Sequence, residues 1–399
     1  MTVRYTIPMS FAALRRFSKT ALFSVYLLSF FYTLHVALPV YVNSTFLASL
    51  VPEKFVGMIY TVSSLLTIVA LITIPRLLKA VGDYFTTVFF IAVEIACLIG
   101  IALSSEPAVI VTLFTISSVL ISLIYFDLDL IVEGYSKDAD TGSIRGLYLT
   151  SANIAWVIAP ALSALLLIGD EYWRVYIVAA ALFIPSLFIF ALRLEQFKDP
   201  LYRTVHFMDG IRKVWKDKDL RQIFYASFLL YFFFTVMTIY TPIYLHEHLG
   251  FAWKELGIMF SIMLVPFLLL EAPLGRLADK VLGEKELLVA GFAVIALATA
   301  VISFMNVPVF FLFALILFTT RVGAAMVEIM TETYFFKKIR AGDAQVVSLM
   351  RALRPAAGAA APVAATALLY VLPIQYMFVA LGALMLIGIP VSLALKDTR

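Results

Sequence analysis

KFVGMIYTVSSLLTIVALITIPRLLKAV, residues 54–81, and KELGIMFSIMLVPFLLLEAPLGRLADKV, residues 254–281, are one segment written twice, in unbroken register and 200 residues apart. Gly57 answers Gly257, Tyr60 answers Phe260, Thr61 answers Ser261, and Arg76-Leu77 answers Arg276-Leu277. Each copy is a long apolar run that ends in a short basic loop. A chain that repeats at half its length, with nearly every segment apolar, builds two equivalent membrane bundles.

The repeat extends on either side. Leu38-Pro39-Val40-Tyr41 answers Thr241-Pro242-Ile243-Tyr244; Asp129, Glu133 and Tyr135 answer Glu328, Glu332 and Tyr334; Ala159-Pro160 answers Ala361-Pro362. Composition agrees. Hydrophobic residues make up 63% of the 399 and charged residues 14%, with a mean hydropathy of +0.99, where soluble chains are about half apolar. Cys97 is the single cysteine, so a disulfide framework and a thiolate metal cluster are both excluded. The net charge of +4 comes from loop lysines and arginines, and no patch suits a nucleic acid.

Charge gathers in short clusters between apolar runs of about 20 residues, enough to cross ~30 Å of hydrocarbon. Twelve spans follow: 21–43, 54–78, 84–104, 107–133, 144–168, 172–194, 220–245, 255–278, 286–305, 307–333, 344–371 and 374–395. They are helices, because they lack the alternation of barrel strands and lipid leaves no backbone group unpaired. The first run exceeds a signal-peptide core and reads as a retained span. With both termini placed in the cytoplasm, the outer loops keep only Lys54, Arg174 and Lys254, as the positive-inside rule asks. The expected location is the cell inner (plasma) membrane, with the lipid bilayer and a small solute as partners and a monomer as the unit.

The polar stretch 195–219 divides the chain into an N-terminal six-helix bundle (1–195), a cytoplasmic link (196–218) and a C-terminal six-helix bundle (219–399). Within the link, Phe207, Met208, Ile211, Val214 and Trp215 share a helical face opposite Arg212, Lys213, Lys216 and Lys218. That pattern predicts an interfacial helix on the inner leaflet. Asp219 reads as the N-cap of the seventh span.

With these features the chain resembles the major facilitator superfamily over essentially its whole length, and within it drug/proton antiporter-like members. The strongest local likeness is Gly275-Arg276-Leu277-Ala278-Asp279-Lys280, continued by Gly283 and Lys285, which is similar to the family's loop signature. In this reading Gly275 lets helices approach, Asp279 caps or pairs, and Lys280 anchors the loop. The copy after the second span keeps Arg76, Leu77 and Lys79 and loses the acid at its place, with Gly82-Asp83 as a shifted version. Glu133 with Arg145 is similar to the family's cytoplasmic charge relay, and Glu332 repeats Glu133 in the second half. These residues imply a cytoplasmic gate. Helix five, with Gly146, Ala155, Ala159-Pro160 and Ser163, follows the spacing of the family's antiporter signature, alanine and serine standing for most glycines.

Ionisable groups at membrane depth are costly and mark function. His35, Asp127, Asp129, Arg321, Glu328, Arg351 and Arg354 are the candidates for a substrate and proton pathway. The family architecture lines its central cavity with helices one, four, seven and ten, which directs Asp129, Arg321, Glu328 and His35 toward the solute. Asp127 points about 200° away from Asp129. Asp127 or Asp129 is the expected proton carrier, Arg351 and Arg354 are partners of Glu328 or a clamp for an anionic solute, and Glu94 is an internal partner of His35. Aromatic residues of helices one and seven (Phe30 to Tyr32, Tyr231 to Phe234, Tyr240) could line an amphiphile cavity. His246-Glu247-His248 lacks a third metal ligand, so no metal and no cofactor is expected, only a proton gradient. No nucleophile–base set stands out, which argues against an enzyme. The expected function is proton-coupled export of small amphiphilic compounds, with uptake of an organic anion or a non-transporting sensor as alternatives.

Overall fold

Pro273 and Pro390 decide how the chain is cut into helices, because a proline inside a helix has no N–H to give and crowds the carbonyl four residues earlier. The computed structural model describes residues 11–135, 141–167, 169, 171–193, 207–278, 282–339 and 344–396. The N-terminal half holds α1 (Phe11–Val40), α2 (Asn43–Leu50), α3 (Glu53–Val81), α4 (Asp83–Leu103), α5 (Pro107–Tyr135), α6 (Thr141–Leu166) and α7 (Trp173–Arg193). A short α8 (Phe207–Lys216) follows the link. The C-terminal half holds α9 (Lys218–Ile243), α10 (Trp253–Leu269), α11 (Glu271–Leu277), α12 (Glu284–Ile302), α13 (Phe310–Lys338), α14 (Ala344–Leu369), α15 (Tyr376–Met385) and α16 (Gly388–Leu393). There is no strand among the described residues.

By length and composition, 10 helical segments among the described residues can cross a membrane. The remaining two expected spans are shorter in apolar extent: Thr150–Leu166, and the eighth, which breaks at Leu270 into α10 and α11. Pro273 accounts for that break, and Pro390 for the division of the last span into α15 and α16. The outer faces are apolar, with Phe85, Phe89, Leu103, Leu192, Phe311 and Leu315 all exposed. That inversion of the soluble pattern suits a hydrocarbon surround.

Each repeat copy ends in the same device. Gly82 (φ 90°) and Gly283 (φ 87°) occupy a backbone region open mainly to glycine. The acid after each, Asp83 or Glu284, is buried in the first turn of the next helix. Glu284 there pairs with Lys337.

Within the N-terminal bundle, α1 packs on α6 and α7, and α4 on α5 and α7; within the C-terminal bundle, α12 packs on α13 and α15, and α9 on α14. Between bundles the principal contacts are α3 with α14 and α6 with α10. The repeated segments are therefore the ones that cross. Their contacts are reciprocal. A Cβ on Gly57 would lie 3.0 Å from the carbonyl oxygen of Pro362, and one on Gly257 would lie 2.6 Å from that of Pro160. The Thr61 hydroxyl donates to the carbonyl of Ala359 at 3.3 Å, and the Ala161 N–H donates to Ser261 at 3.2 Å. The glycine–proline contacts are matched in both copies, Gly57 with Pro362 and Gly257 with Pro160, while Thr61 and Ser261 each bond across the seam to a different turn. Such matching is what a pseudo-twofold axis between two six-helix bundles produces.

The link departs from the sequence expectation in two ways. Val214 is buried while Met208 and Trp215 are exposed, so the apolar stripe of α8 is shared between the protein and its surroundings. Asp217, not Asp219, caps α9, its carboxylate accepting the N–H groups of Asp219 and Leu220. Asp219 instead accepts from Lys338 at 2.6 Å.

Candidate functional site: the cleft between the bundles

The cleft is closed at the end away from the termini. There Glu53 of α3 meets His248, just beyond α9, at 3.0 Å, Lys54 lies 5.4 Å over the Tyr370 ring, and the rings of Tyr172 and Trp253 stand 6.1 Å apart. One layer deeper, Tyr41 stacks at 4.9 Å against Phe260. Tyr41 follows the Pro39 turn of α1, so it leaves its own bundle and reaches the other one.

Beneath this seal lies Arg321 of α13, 2% exposed. Its guanidinium lies beside the Tyr41 hydroxyl and stands 5.4 Å over each of the Phe233 and Phe234 rings. Nε and Nη1 have no hydrogen-bond partner among the described residues. Two orphaned N–H groups cost about 1–3 kcal/mol each, and a buried charge several kcal/mol more. Cation–π contacts return roughly 0.5–2 kcal/mol each. Glu328 on the same helix adds an electrostatic attraction, and the two nitrogens remain open to a further acceptor.

Toward the other end of the helices stands Arg354 of α14. It is exposed, yet it lies 5.3 Å over the Tyr231 ring of α9 and within electrostatic range of Glu328, Glu332 and Tyr125. Tyr125 of α5 is tilted against Tyr32 of α1 at 6.2 Å, and the Tyr32 hydroxyl donates to the Ile121 carbonyl. Helices of both bundles thus present tyrosines to one guanidinium.

Two buried polar clusters lie inside the N-terminal bundle. His35 and Glu94 are both fully buried and 3.9 Å apart; Ser117 donates to Glu94 at 2.7 Å, and the imidazole stacks on Phe183 at 3.6 Å. The pairing read from the sequence is present, but His35 faces the bundle core, because the Phe183 ring and Glu94 hold it there. In the second cluster the Thr87 hydroxyl donates to Asp127 at 2.9 Å and lies 3.4 Å from Asp83. One hydroxyl proton stands between two buried carboxylates.

The sequence of this chain matches the model of the major facilitator superfamily over residues 20–344. The chain belongs to the major facilitator superfamily. It is a multi-pass membrane transporter and not an enzyme. No curated protein sequence matches it. Among solved structures it is similar to the nucleoside transporter NupG, with a TM-score of 0.75 and 15% identity over 94% of this chain and 98% of that one. It is also similar to a bacterial homologue of the human lysosomal transporter Spinster in an inward-facing, unoccupied conformation, with a TM-score of 0.69 and 9% identity over 95% of this chain and 93% of that one. At such identities the likeness carries the fold alone.

Measured against the facilitator signature, the gate residues scatter. Arg76 is exposed on α3. Gly275 has no described atom within 4 Å of where a Cβ would stand, so it is not a close-approach glycine; Gly57 and Gly257 are. Asp279 and Lys280 lie outside the described residues, as do the side chains of Asp129, Glu133 and Arg145. Glu332 stands near Arg354, and Arg351 is exposed one turn before it. His246 and His248 are drawn to different partners, the Phe251 carbonyl and Glu53. Sequence reasoning missed Tyr41, Tyr125 and Thr87 as members of these clusters, and read Asp83 only as a shifted loop acid. Tyr41 carried a signal in its match to Tyr244, and Asp83 in following Gly82 as Glu284 follows Gly283.

Proposed function

We propose that the chain exports small amphiphilic organic compounds bearing an anionic group, by alternating access of the cleft and in exchange for protons. The observation that carries this reading is Arg321, a buried cation with two unpartnered nitrogens among the described residues, set between the bundles on aromatic rings. An anionic head would complete its hydrogen bonds, and the rings of Phe233, Phe234 and Tyr231 would take the apolar body. Arg354 is the first contact from the end near the termini. In this reading the units that rock are residues 1–195 and 219–399 of a monomer in the plasma membrane. With the termini cytoplasmic, the contacts at the end away from them support an inward-facing state. Both termini are cytoplasmic, as the loop charges favour.

Asp127 is the proton carrier, supported by full burial and by a single hydroxyl donor among the described residues. It acts through the N-terminal bundle, because its neighbours are Thr87 and Asp83 and not the solute cleft. A second reading keeps the site and reverses the flow: uptake of an organic anion, favoured by Arg354 standing exposed inside the cleft. Proteoliposome flux of anionic, neutral and cationic amphiphiles, under proton gradients of either sign, separates these. Export predicts anion efflux driven by protons entering from the far side. Co-directional movement of anion and proton would establish uptake instead, and flux indifferent to any gradient would remove the coupling.

A further inference from the structure

A second charged recess lies at the end of the molecule that carries the termini, apart from the cleft. Arg212, Lys213 and Lys216 of α8, Lys218 of α9, Lys338 at the end of α13, and Lys396 line a cavity of about 690 Å³. Three carboxylates share it, Asp209, Asp217 and Asp219, against those six basic side chains. Asp217 caps α9. Asp219 accepts from Lys338 and from the Lys396 N–H at 3.2 Å. Asp209 stands 3.7 Å from Arg212 in a well-exposed pair, which is worth about 0–1 kcal/mol. The recess keeps a positive surplus.

The α8 helix is fixed in place above it. Gly210 lies so close to α14 that a Cβ would stand 3.0 Å from the Gln345 carbonyl oxygen, and Val214 is buried on the same side. That packing turns Met208 and Trp215 outward, 62% and 60% exposed. Both sit beside Arg212 on the helix. Arg221 reinforces the Trp215 end, donating to its carbonyl at 3.1 Å with its guanidinium 5.9 Å over the indole. A cationic recess bordered by an outward indole and thioether, at the rim of a bundle of membrane helices, matches the boundary between lipid headgroups and acyl chains.

We propose that this recess is a binding site for the headgroup phosphate of an anionic phospholipid, whose acyl chains lie against Met208 and Trp215. A soluble phosphate explains the charge but leaves the two apolar side chains without a role, so the lipid is the occupant. The site is built by the link helix and the C-terminal bundle, and it does not depend on which solute the cleft carries.

The test uses the full chain in nanodiscs and the fluorescence of Trp215, taken as the difference between the wild type and Trp215→Phe. Brominated phosphatidylglycerol is expected to quench Trp215 more strongly than brominated phosphatidylcholine at equal mole fraction. Arg212→Gln with Lys216→Gln, both at exposed positions, is expected to weaken that preference by about thirtyfold in relative affinity, at roughly one unit of surface attraction per basic residue. Equal quenching by the two lipids overturns the proposal. So does a preference that survives the double substitution, or one erased by millimolar inorganic phosphate, which would make the recess a free-anion site. Circular dichroism of the double variant checks that the helices persist.

Discussion

Arg321 and Asp127 carry the chemistry at the scale of single residues, and both are out of place by ordinary rules of burial. For Arg321 two N–H groups stay orphaned among the described residues, so Arg321→Met should leave the empty protein as stable or raise its melting temperature. The same change should abolish flux of anionic amphiphiles, while Arg321→Lys retains part of it. A fall in stability of more than about 2 kcal/mol in Arg321→Met would make the arginine structural. For Asp127, Asp127→Asn keeps the Thr87 hydrogen bond and should give solute movement that no longer answers a proton gradient. A normal response would transfer the role to another acid. The sequence exposed both residues, since a charge in a 20-residue apolar run is visible at once. It could not tell which way each turns. His35 sits on a cavity-lining helix, yet Glu94 and Phe183 draw it into the bundle core, and Tyr41 reaches the cleft only through the turn that ends α1.

At the scale of elements, the closed end is held by helix packing more than by its ion pair. The Glu53–His248 pair is partly exposed, and such pairs contribute about 0–1 kcal/mol. Glu53→Gln should therefore change the closed population by no more than about fivefold. Gly257→Val is a different kind of change, because its new Cβ meets the backbone of α6 at Pro160, which cannot yield. Overpacking of this sort costs on the order of 1–3 kcal/mol, an expected shift of roughly 5–150-fold toward the state open at that end. Labelling of Ser261→Cys with an impermeant maleimide, in a Cys97→Ala background, reads both changes. Equal labelling of Gly257→Val and its parent would mean that α6 and α10 do not form the seal. The helices themselves were legible from apolar run length, and α3, α4 and α12 begin and end within a few residues of expectation. The breaks at Leu270 and Leu386 were not, because hydropathy does not register a missing N–H. Nor was the split face of α8, where Gly210 lets α14 cover part of the apolar stripe.

At the scale of the whole molecule, the duplicated segments meet the opposite bundle through matched glycines and prolines, Gly57 with Pro362 and Gly257 with Pro160, and the matched Thr61 and Ser261 each bond to the opposite bundle as well. This symmetry was readable in the sequence as a register, though not as a contact, since nothing in one dimension says that each copy crosses to the other half. Symmetric seams on both sides of a cleft allow one end to close as the other opens, and that reciprocity is the central claim. It is tested most directly by electron-spin distance measurements in liposomes on two label pairs, again without Cys97. One pair, Glu106 with Val307, reports the closed end, and the other, Lys79 with Leu282, reports the end near the termini; all four positions are exposed. The account predicts two populations for each pair, with the short distance of one pair growing as the short distance of the other declines when the pH is changed. A single fixed distance at both ends, or two distances that lengthen together, would contradict it.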